Sequence, residues 1–295
     1  MFKTILLKDV DAIVAQNFLQ HSVAPRPICF ASTIDLNGNV NLSPFSFFNL
    51  FSTNPAVVVF SPSRRARNNT TKHTLQNILE VPEVVINIVS YDMIQQVSLS
   101  SCEFPKGVDE FLKAGFTKEP SQVVKPPRVK QSPVQLECKV LEVKPLGTQG
   151  GAGNLVIAEV LMMHINENIL NENGNIDQKK LDLVARLGGN WYTRANASTI
   201  FEIEKPNTHL GIGVNALPES IRNSKILTGN HLGQLANVNE LPFVDPAFED
   251  EKLKNIIQYY STDPVEMERE LHTYSKELLD ACKVREAWQV LLTLN

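Results

Sequence analysis

A mainly β protein is the fold class this sequence predicts: an antiparallel barrel or sandwich with helices at its rim and a helical C-terminal extension. Three observations carry that expectation. Apolar runs of strand length recur between residues 27 and 166 and are joined by turn signals rather than by long helices. Asn-Gly pairs at 37–38 and 173–174 mark tight reversals of the chain. From about residue 205 the texture changes to Asn, Gly and Pro with short apolar pulses, then to a long amphipathic pattern.

The elements follow in order. PICFASTI (27–34) is rich in apolar and β-branched residues and reads as a strand. DLNGN (35–39) turns the chain, and VNLSPF (40–45) begins the return strand. PAVVVF (55–60) is a continuous apolar run, the pattern of a strand covered on both faces. In HTLQNILE (73–80), Leu75, Ile78 and Leu79 fall at helical spacing, Thr71 or Thr74 is placed to cap, and Pro82 ends the helix. EVVINIV (83–89) is another strand, and YDMIQQVSLSS (91–101) is helical. Residues 102–133, with prolines at 105, 120, 126, 127 and 133, are irregular. VQLECKVLEV (134–143) alternates, so one face is buried, and PLGTQGGAG joins it to the long strand NLVIAEVLMMHIN (154–166). A short KKLDLVARLGG element and WYTRA close a first domain, residues 1–204. In the appendage, residues 205–295, PAFEDEKLKNIIQYYS (246–261) is helical. Residues 263–295 continue as one long helix whose stripe of Met267, Leu271, Tyr274, Leu278, Cys282 and Trp288 packs on the barrel or on a partner chain.

Composition narrows the functional classes. With 295 residues, 43% apolar and 20% charged, the chain can bury a deep core. A net charge of −4 argues against nucleic acid as a partner, which needs a concentrated basic face. The N-terminal MFKTILLKDVDAIVAQ is too charged for a signal segment, and no run of about 18 apolar residues is present to span a membrane. Cys29, Cys102, Cys138 and Cys282 are widely spaced without metal-type pairing, and Cys29 and Cys138 sit inside apolar runs, so a cytoplasmic protein with buried free thiols at those two positions and no metal is expected. GTQGGAG (147–153) leads into a strand and lacks dinucleotide-fold spacing, so it reads as a turn; P-loop and hydrolase motifs are missing.

One segment combines features a core strand does not need. NLSPFSFFN (41–49) alternates phenylalanine with Ser43, Ser46 and Asn49, a mixture suited to a flat ring with a polar edge. SPSRRARNNTTKHT (61–74) supplies Arg64, Arg65, Arg67 and Lys72, hydroxyls at Ser61, Thr70, Thr71 and Thr74, and a helix N-terminus near 73, a phosphate cradle. Separated by the strand at 55–60, which spans roughly 20 Å when extended, the two would hold opposite ends of a mononucleotide.

The stretch from PRPICF through NPAVVVFSPS resembles the flavin reductase-like family with an FMN-binding split barrel. So do KHT, INIV, FPKGVDEF, AGFT, PPRVKQSPVQLEC, the strand ending at His164 and ARLGGNWY, over residues 20–200 in consistent order. The resemblance implies a split β-barrel, a homodimer, bound FMN, and NADH or NADPH as co-substrate. It places Ser32 and Thr33 beside the flavin, wraps the ring and ribityl chain with Ser43, Pro44, Phe45, Ser46 and Asn49, and assigns the phosphate to Ser61, Arg67, Lys72 and Thr74. His73 stands where the family commonly has aspartate. His164 lines the nicotinamide side or serves the structure. Arg186, Gly188, Gly189 and Tyr192 form a loop that closes over the cofactor, binds the pyridine nucleotide, or simply packs. CEFPKGVDEF (102–111) is implied to cover a partner subunit's flavin.

The expected activity is therefore NAD(P)H:flavin reduction. Electrons would pass onward to free flavin, an oxygenase component or another acceptor protein, and no firm catalytic side chain is required. The alternatives are an FMN-binding electron carrier without efficient NAD(P)H oxidation, and a dimeric scaffold that merely keeps the barrel.

Overall fold

The computed structural model describes residues 1–203 and 210–294. They form two compact units, Met1–Phe201 and Glu202–Asn295. The expected boundary at 204–205 lies outside the described residues.

In the first unit, α1 (Ala12–Ser22) starts on Asp11, whose carboxylate accepts from Ile13 N at 2.7 Å. β1 (Cys29–Ile34) and β2 (Val40–Phe45) form the expected hairpin. Asp35 Oδ1 accepts from Asn37 N and Asn39 N, both at 2.9 Å, and Gly38 takes φ +82°, which the turn requires. β3 (Phe48–Thr53) and β4 (Ala56–Phe60) make a second hairpin, and α2 (His73–Glu80) leads into β5 (Glu83–Ile88). α3 (Ile94–Leu99), α4 (Glu110–Ala114) and the two-residue strands β6 (Lys118–Glu119) and β7 (Arg128–Val129) precede the long pair β8 (Val134–Pro145) and β9 (Asn154–Ile165). α5 (Gln178–Leu181) and the hairpin of β10 (Leu183–Arg186) and β11 (Tyr192–Ala195) complete the unit.

The main sheet runs β2-β1-β5-β8-β9-β4-β3, antiparallel throughout. β2 and β3 are consecutive in sequence yet lie at opposite edges, so the barrel is split at the corner Ser46–Phe47. Its interior holds Cys29, Ala31, Phe45, Phe60, Ile86 and Val156. A second core packs Ile28, Phe30 and Leu42 against Met93, Val97 and Phe111, so that α3 and α4 cover the outer face of β1 and β2. Full burial of a phenylalanine such as Phe30 or Phe60 stabilises by about 1.5–3 kcal/mol. Cys29 and Cys138 are buried free thiols whose pKa values burial raises, that of Cys138 to about 12.

Several local expectations change. β4 is covered on one face: Val58 and Phe60 are buried, whereas Val57 and Val59 are half-buried. β8 begins with five buried residues in a row, because its first half is covered on both faces. Neither Thr71 nor Thr74 caps α2. Its N-cap is Lys72, without a side-chain bond, and Thr74 Oγ1 instead accepts from Asn41 Nδ2 at 2.9 Å.

The second unit contains α6 (Glu219–Arg222), α7 (Gly229–Leu235), α8 (Glu251–Tyr259), α9 (Pro264–Asp280) and α10 (Val284–Leu291). The expected single helix over 263–295 is two, broken where Cys282 takes φ +59°. The apolar stripe has a core of its own: Leu271, Tyr274 and Leu278 pack with Leu235, Leu253, Ile256 and Trp288, while Cys282 is exposed.

His272 in α9 is buried, with Nδ1 2.9 Å from Ser224 Oγ. Burial holds its pKa below 6.5 against the opposing pull of Glu268. The unfolded chain therefore binds more protons than the folded one between the folded pKa and about 6.5. Its contribution to stability is complete above pH 6.5 and falls as the pH drops through that window. Melting temperatures between pH 7 and 5 are expected to decline more steeply for the wild type than for His272→Gln; parallel curves would refute this.

Candidate functional site

The aromatic corner and the basic loop meet. Phe48 pairs with Phe60 across the β3–β4 hairpin, and Ser61 N donates to Phe47 O at 2.8 Å. The expectation of two sites at opposite ends of an extended strand is overturned, because β3 turns the 48–60 segment back on itself. The phenylalanines divide: Phe45 is core, its ring 5.6 Å from that of Phe60, whereas Phe47 and Phe51 are exposed.

Ser43, from β2, shares a small cavity with Arg65, Lys72, His73 and Thr74, closed on the far side by residues 100–104 and Glu110. Arg65 is braced there: Nη1 donates to Thr70 Oγ1 at 3.0 Å and to Thr71 O at 2.6 Å. Burial pushes the Lys72 ammonium pKa down, Arg65 pushes it further, and Glu103 opposes both. The His73 pKa is lowered by burial first and then by Arg65, Lys106 and Lys72. Glu110 is raised by burial, partly offset by Leu42 N donating to its Oε2 at 3.0 Å. Cations held down by burial and mutual repulsion gain from an incoming anion.

Among the described residues, Ser32 Oγ, Ser61 Oγ and Arg65 Nε are buried without a hydrogen-bond partner. Such atoms are rare in folded proteins and call for an acceptor or donor from elsewhere. All three lie on the segments whose sequence resembles a flavin site. The GTQGGAG turn buttresses the loop: Arg64 N donates to Ala152 O at 2.8 Å and Gly151 N to Arg64 O at 3.0 Å. A Cβ at Gly153 would stand 2.6 Å from Ser61 Oγ, so close approach requires glycine there. The donor set of these residues is of the kind a phosphate monoester takes, two cations with hydroxyls beside them.

The remaining expected residues fall elsewhere. Thr33 Oγ1 accepts from Asn77 Nδ2 at 3.2 Å inside the barrel. Pro44 is half-buried opposite Phe30. Ser46 Oγ lies 3.5 Å from Arg26 Nε, and exposed Asn49 accepts from Leu50 N at 2.8 Å. Arg67 is exposed and pairs with Glu103 at 2.9 Å, leaving Arg65 as the arginine that faces the cavity. His164 Nε2 is 2.7 Å from Oε1 of fully buried Glu137. Glu137 also accepts from Gln122 N, Val123 N and Val124 N. Burial alone would raise the Glu137 pKa, but the N–H groups of Val123 and Gln122 and the ring of His164 hold it below the usual carboxylate range.

Arg186 and Tyr192 line a second, larger cavity of about 390 Å³ with Tyr91, Ile94 and Arg194. The Arg186 guanidinium lies 4.5 Å from the Tyr192 ring centre, and Arg194 lies 3.7 Å from that of Tyr91. Arg194 is committed to Asp182 by two 2.6 Å bonds. α3 walls this cavity through Ile94, Gln95 and Ser98, and the loop after α3 walls the smaller one. Arg26 and Arg186 exchange backbone hydrogen bonds of 2.9 and 2.8 Å, tying the larger cavity to the corner where Arg26 meets Ser46. Sequence reasoning passed over Arg26, Tyr91 and Arg194. Arg65 was visible within RRAR, but which arginine turns inward depends on contacts with Thr70 and Thr71.

The split antiparallel barrel, with a small cation-lined cavity between β2, the 65–74 segment and residues 100–104, defines the class as a split-barrel protein. The chain belongs to the flavin reductase-like family, whose model, described as "Flavin reductase like domain", matches residues 21–182. An uncharacterized protein from Aquifex aeolicus is 37% identical over 190 residues, 64% of this chain and 94% of its own. The crystal structure of nitrilotriacetate monooxygenase component B from Bacillus cereus aligns with a TM-score of 0.64 at 26% identity, covering 69% of this chain and 99% of that one. A split-barrel structure from Shewanella frigidimarina shares the fold, with a TM-score of 0.58 at 24% identity over 68% and 96% of the two chains. Among the described residues, no helix is long and apolar enough to cross a membrane.

Proposed function

We propose that this chain is an NAD(P)H-dependent flavin reductase that holds FMN at the split corner of its barrel. The observation that carries the reading is the orphaned, buried Arg65 Nε beside Lys72 and His73 in a cavity shared with Ser43. Arg65, Lys72 and Thr74 in the first turn of α2 hold the phosphate, and the Ser43–Asn49 corner orients the ring through its serines and backbone amides. Bound FMN supplies the redox chemistry, accepting a hydride equivalent from a reduced nicotinamide and delivering electrons onward. The cavity of about 390 Å³, with two tyrosine faces and Arg186, is of the size and character to receive that nucleotide. His164 is left out of the reading, since Glu137 engages its Nε2. Nitrilotriacetate monooxygenase component B is by its name one part of an oxygenase system, and an oxygenase component or free flavin is proposed as the acceptor here.

The test is anaerobic mixing of the FMN-loaded protein with NADH and with NADPH. Bleaching of the flavin absorbance within seconds is expected with at least one of them. Bound FMN that neither nucleotide bleaches would instead make the protein an FMN-binding electron carrier.

A further inference from the structure

The cavity shared by Arg65, Lys72 and His73 measures only about 20 Å³. That is room for roughly one water molecule, and a phosphate group does not fit it as it stands. What closes it is the loop after α3, and one side chain of that loop reaches across to the basic segment. Glu103 Oε2 lies 2.9 Å from Arg67 Nη2, and its Oε1 lies 3.4 Å from Arg65 Nε. The second contact is an ion pair without hydrogen-bond geometry, so Arg65 Nε stays buried and unsatisfied. The guanidinium cannot turn to improve it, because Nη1 is held by Thr70 Oγ1 and Thr71 O.

We propose that Glu103 is an internal competitor for the ligand's phosphate: its carboxylate spans Arg65 and Arg67 and must swing out before a phosphate monoester reaches Arg65 and Lys72. The inference rests on the flavin-phosphate reading given above. A carboxylate offers two acceptor oxygens and one charge; a phosphate monoester offers three oxygens and nearly two charges. The phosphate can therefore satisfy Arg65 Nε while also meeting Lys72, which Glu103 does not bond. Glu103 leaves readily, since its side chain is about half exposed and exposed ion pairs are weak. Its departure withdraws that carboxylate from the cavity wall, while the 100–104 backbone keeps its own bonds, such as Ser100 N to Gln96 O at 3.0 Å and Cys102 N to Leu99 O at 3.2 Å. Riboflavin has no phosphate to bring to these cations and does not compete with Glu103, so the residue weakens FMN alone and lowers the preference for phosphorylated flavin that Arg65 and Lys72 create.

The experiment is a flavin-fluorescence titration of the full chain with FMN and with riboflavin, for wild type, Glu103→Gln and Glu103→Ala. Both variants are expected to bind FMN about three- to tenfold more tightly, with riboflavin changed less than twofold, in keeping with the loss of a weak exposed pair and of carboxylate–phosphate repulsion. If wild type binds FMN but both variants bind it equally or more weakly, or gain equally for both flavins, the inference is overturned and the phosphate reading stands. A wild-type chain that binds neither flavin overturns the functional reading and this inference with it.

Discussion

Lys72→Ala combined with Arg65→Ala is expected to weaken FMN binding by about 30- to 300-fold while changing riboflavin by less than about threefold. Each charge-assisted hydrogen bond to a phosphate is worth about 1.5–3 kcal/mol. The lower part of that range applies here, because Lys72 is only half-buried. Arg65 also braces Thr70 and Thr71, so its loss loosens the loop. That structural penalty falls on both flavins alike, and the FMN-to-riboflavin ratio cancels it. Lys72→Ala alone leaves the brace in place and is expected to cost FMN about tenfold. Equal losses for the two flavins, measured by equilibrium fluorescence titration, would show that the cavity does not hold the phosphate.

Glu137→Ala is expected to destabilise the first unit by about 3 kcal/mol, because a buried donor that loses its acceptor costs about 1–3 kcal/mol and several lose theirs at once. The carboxylate is fully buried and is the common acceptor for Gln122 N, Val123 N, Val124 N and His164 Nε2. Removing it leaves four donors without that acceptor, although the 122–124 backbone lies close enough to solvent for water to recover part of the loss. A fall in melting temperature of roughly 6–12 °C follows for a domain of this size. His164→Ala removes one donor and keeps the three backbone bonds, so a smaller shift is expected. If His164→Ala instead abolished nicotinamide oxidation without moving the melting temperature, its role would be in the redox site after all. Calorimetry with parallel anaerobic NADH oxidation separates the two outcomes.

These two expectations also show what was legible in the sequence. Local signals were read well. Asn37-Gly38 fixed the β1–β2 hairpin, and Pro82 bounded the α2 helix, which ends at Glu80. The basic loop and the Ser-Phe corner were visible as composition, and the family resemblance ordered them along the chain. What escaped were features decided by distant partners. β3 hides its strand character because it is an edge, exposing Leu50 and Phe51 and pairing only with β4. Without β3, the corner and the loop looked a strand apart rather than adjacent. The choice between Arg65 and Arg67 depends on which guanidinium the Thr70–Thr71 turn captures. The partner of His164 lies 27 residues away on the neighbouring strand. The break at Cys282 places a left-handed residue inside an amphipathic pattern that otherwise continues at helical spacing.

The central claim, that the split corner holds a flavin by its phosphate, is tested most directly by titrating the purified protein with FMN and riboflavin and following flavin fluorescence. The account predicts saturable quenching at one FMN per chain, with riboflavin bound at least tenfold more weakly, the difference expected from a charge-assisted phosphate contact. No quenching by FMN, or equal affinity for the two flavins, would contradict it.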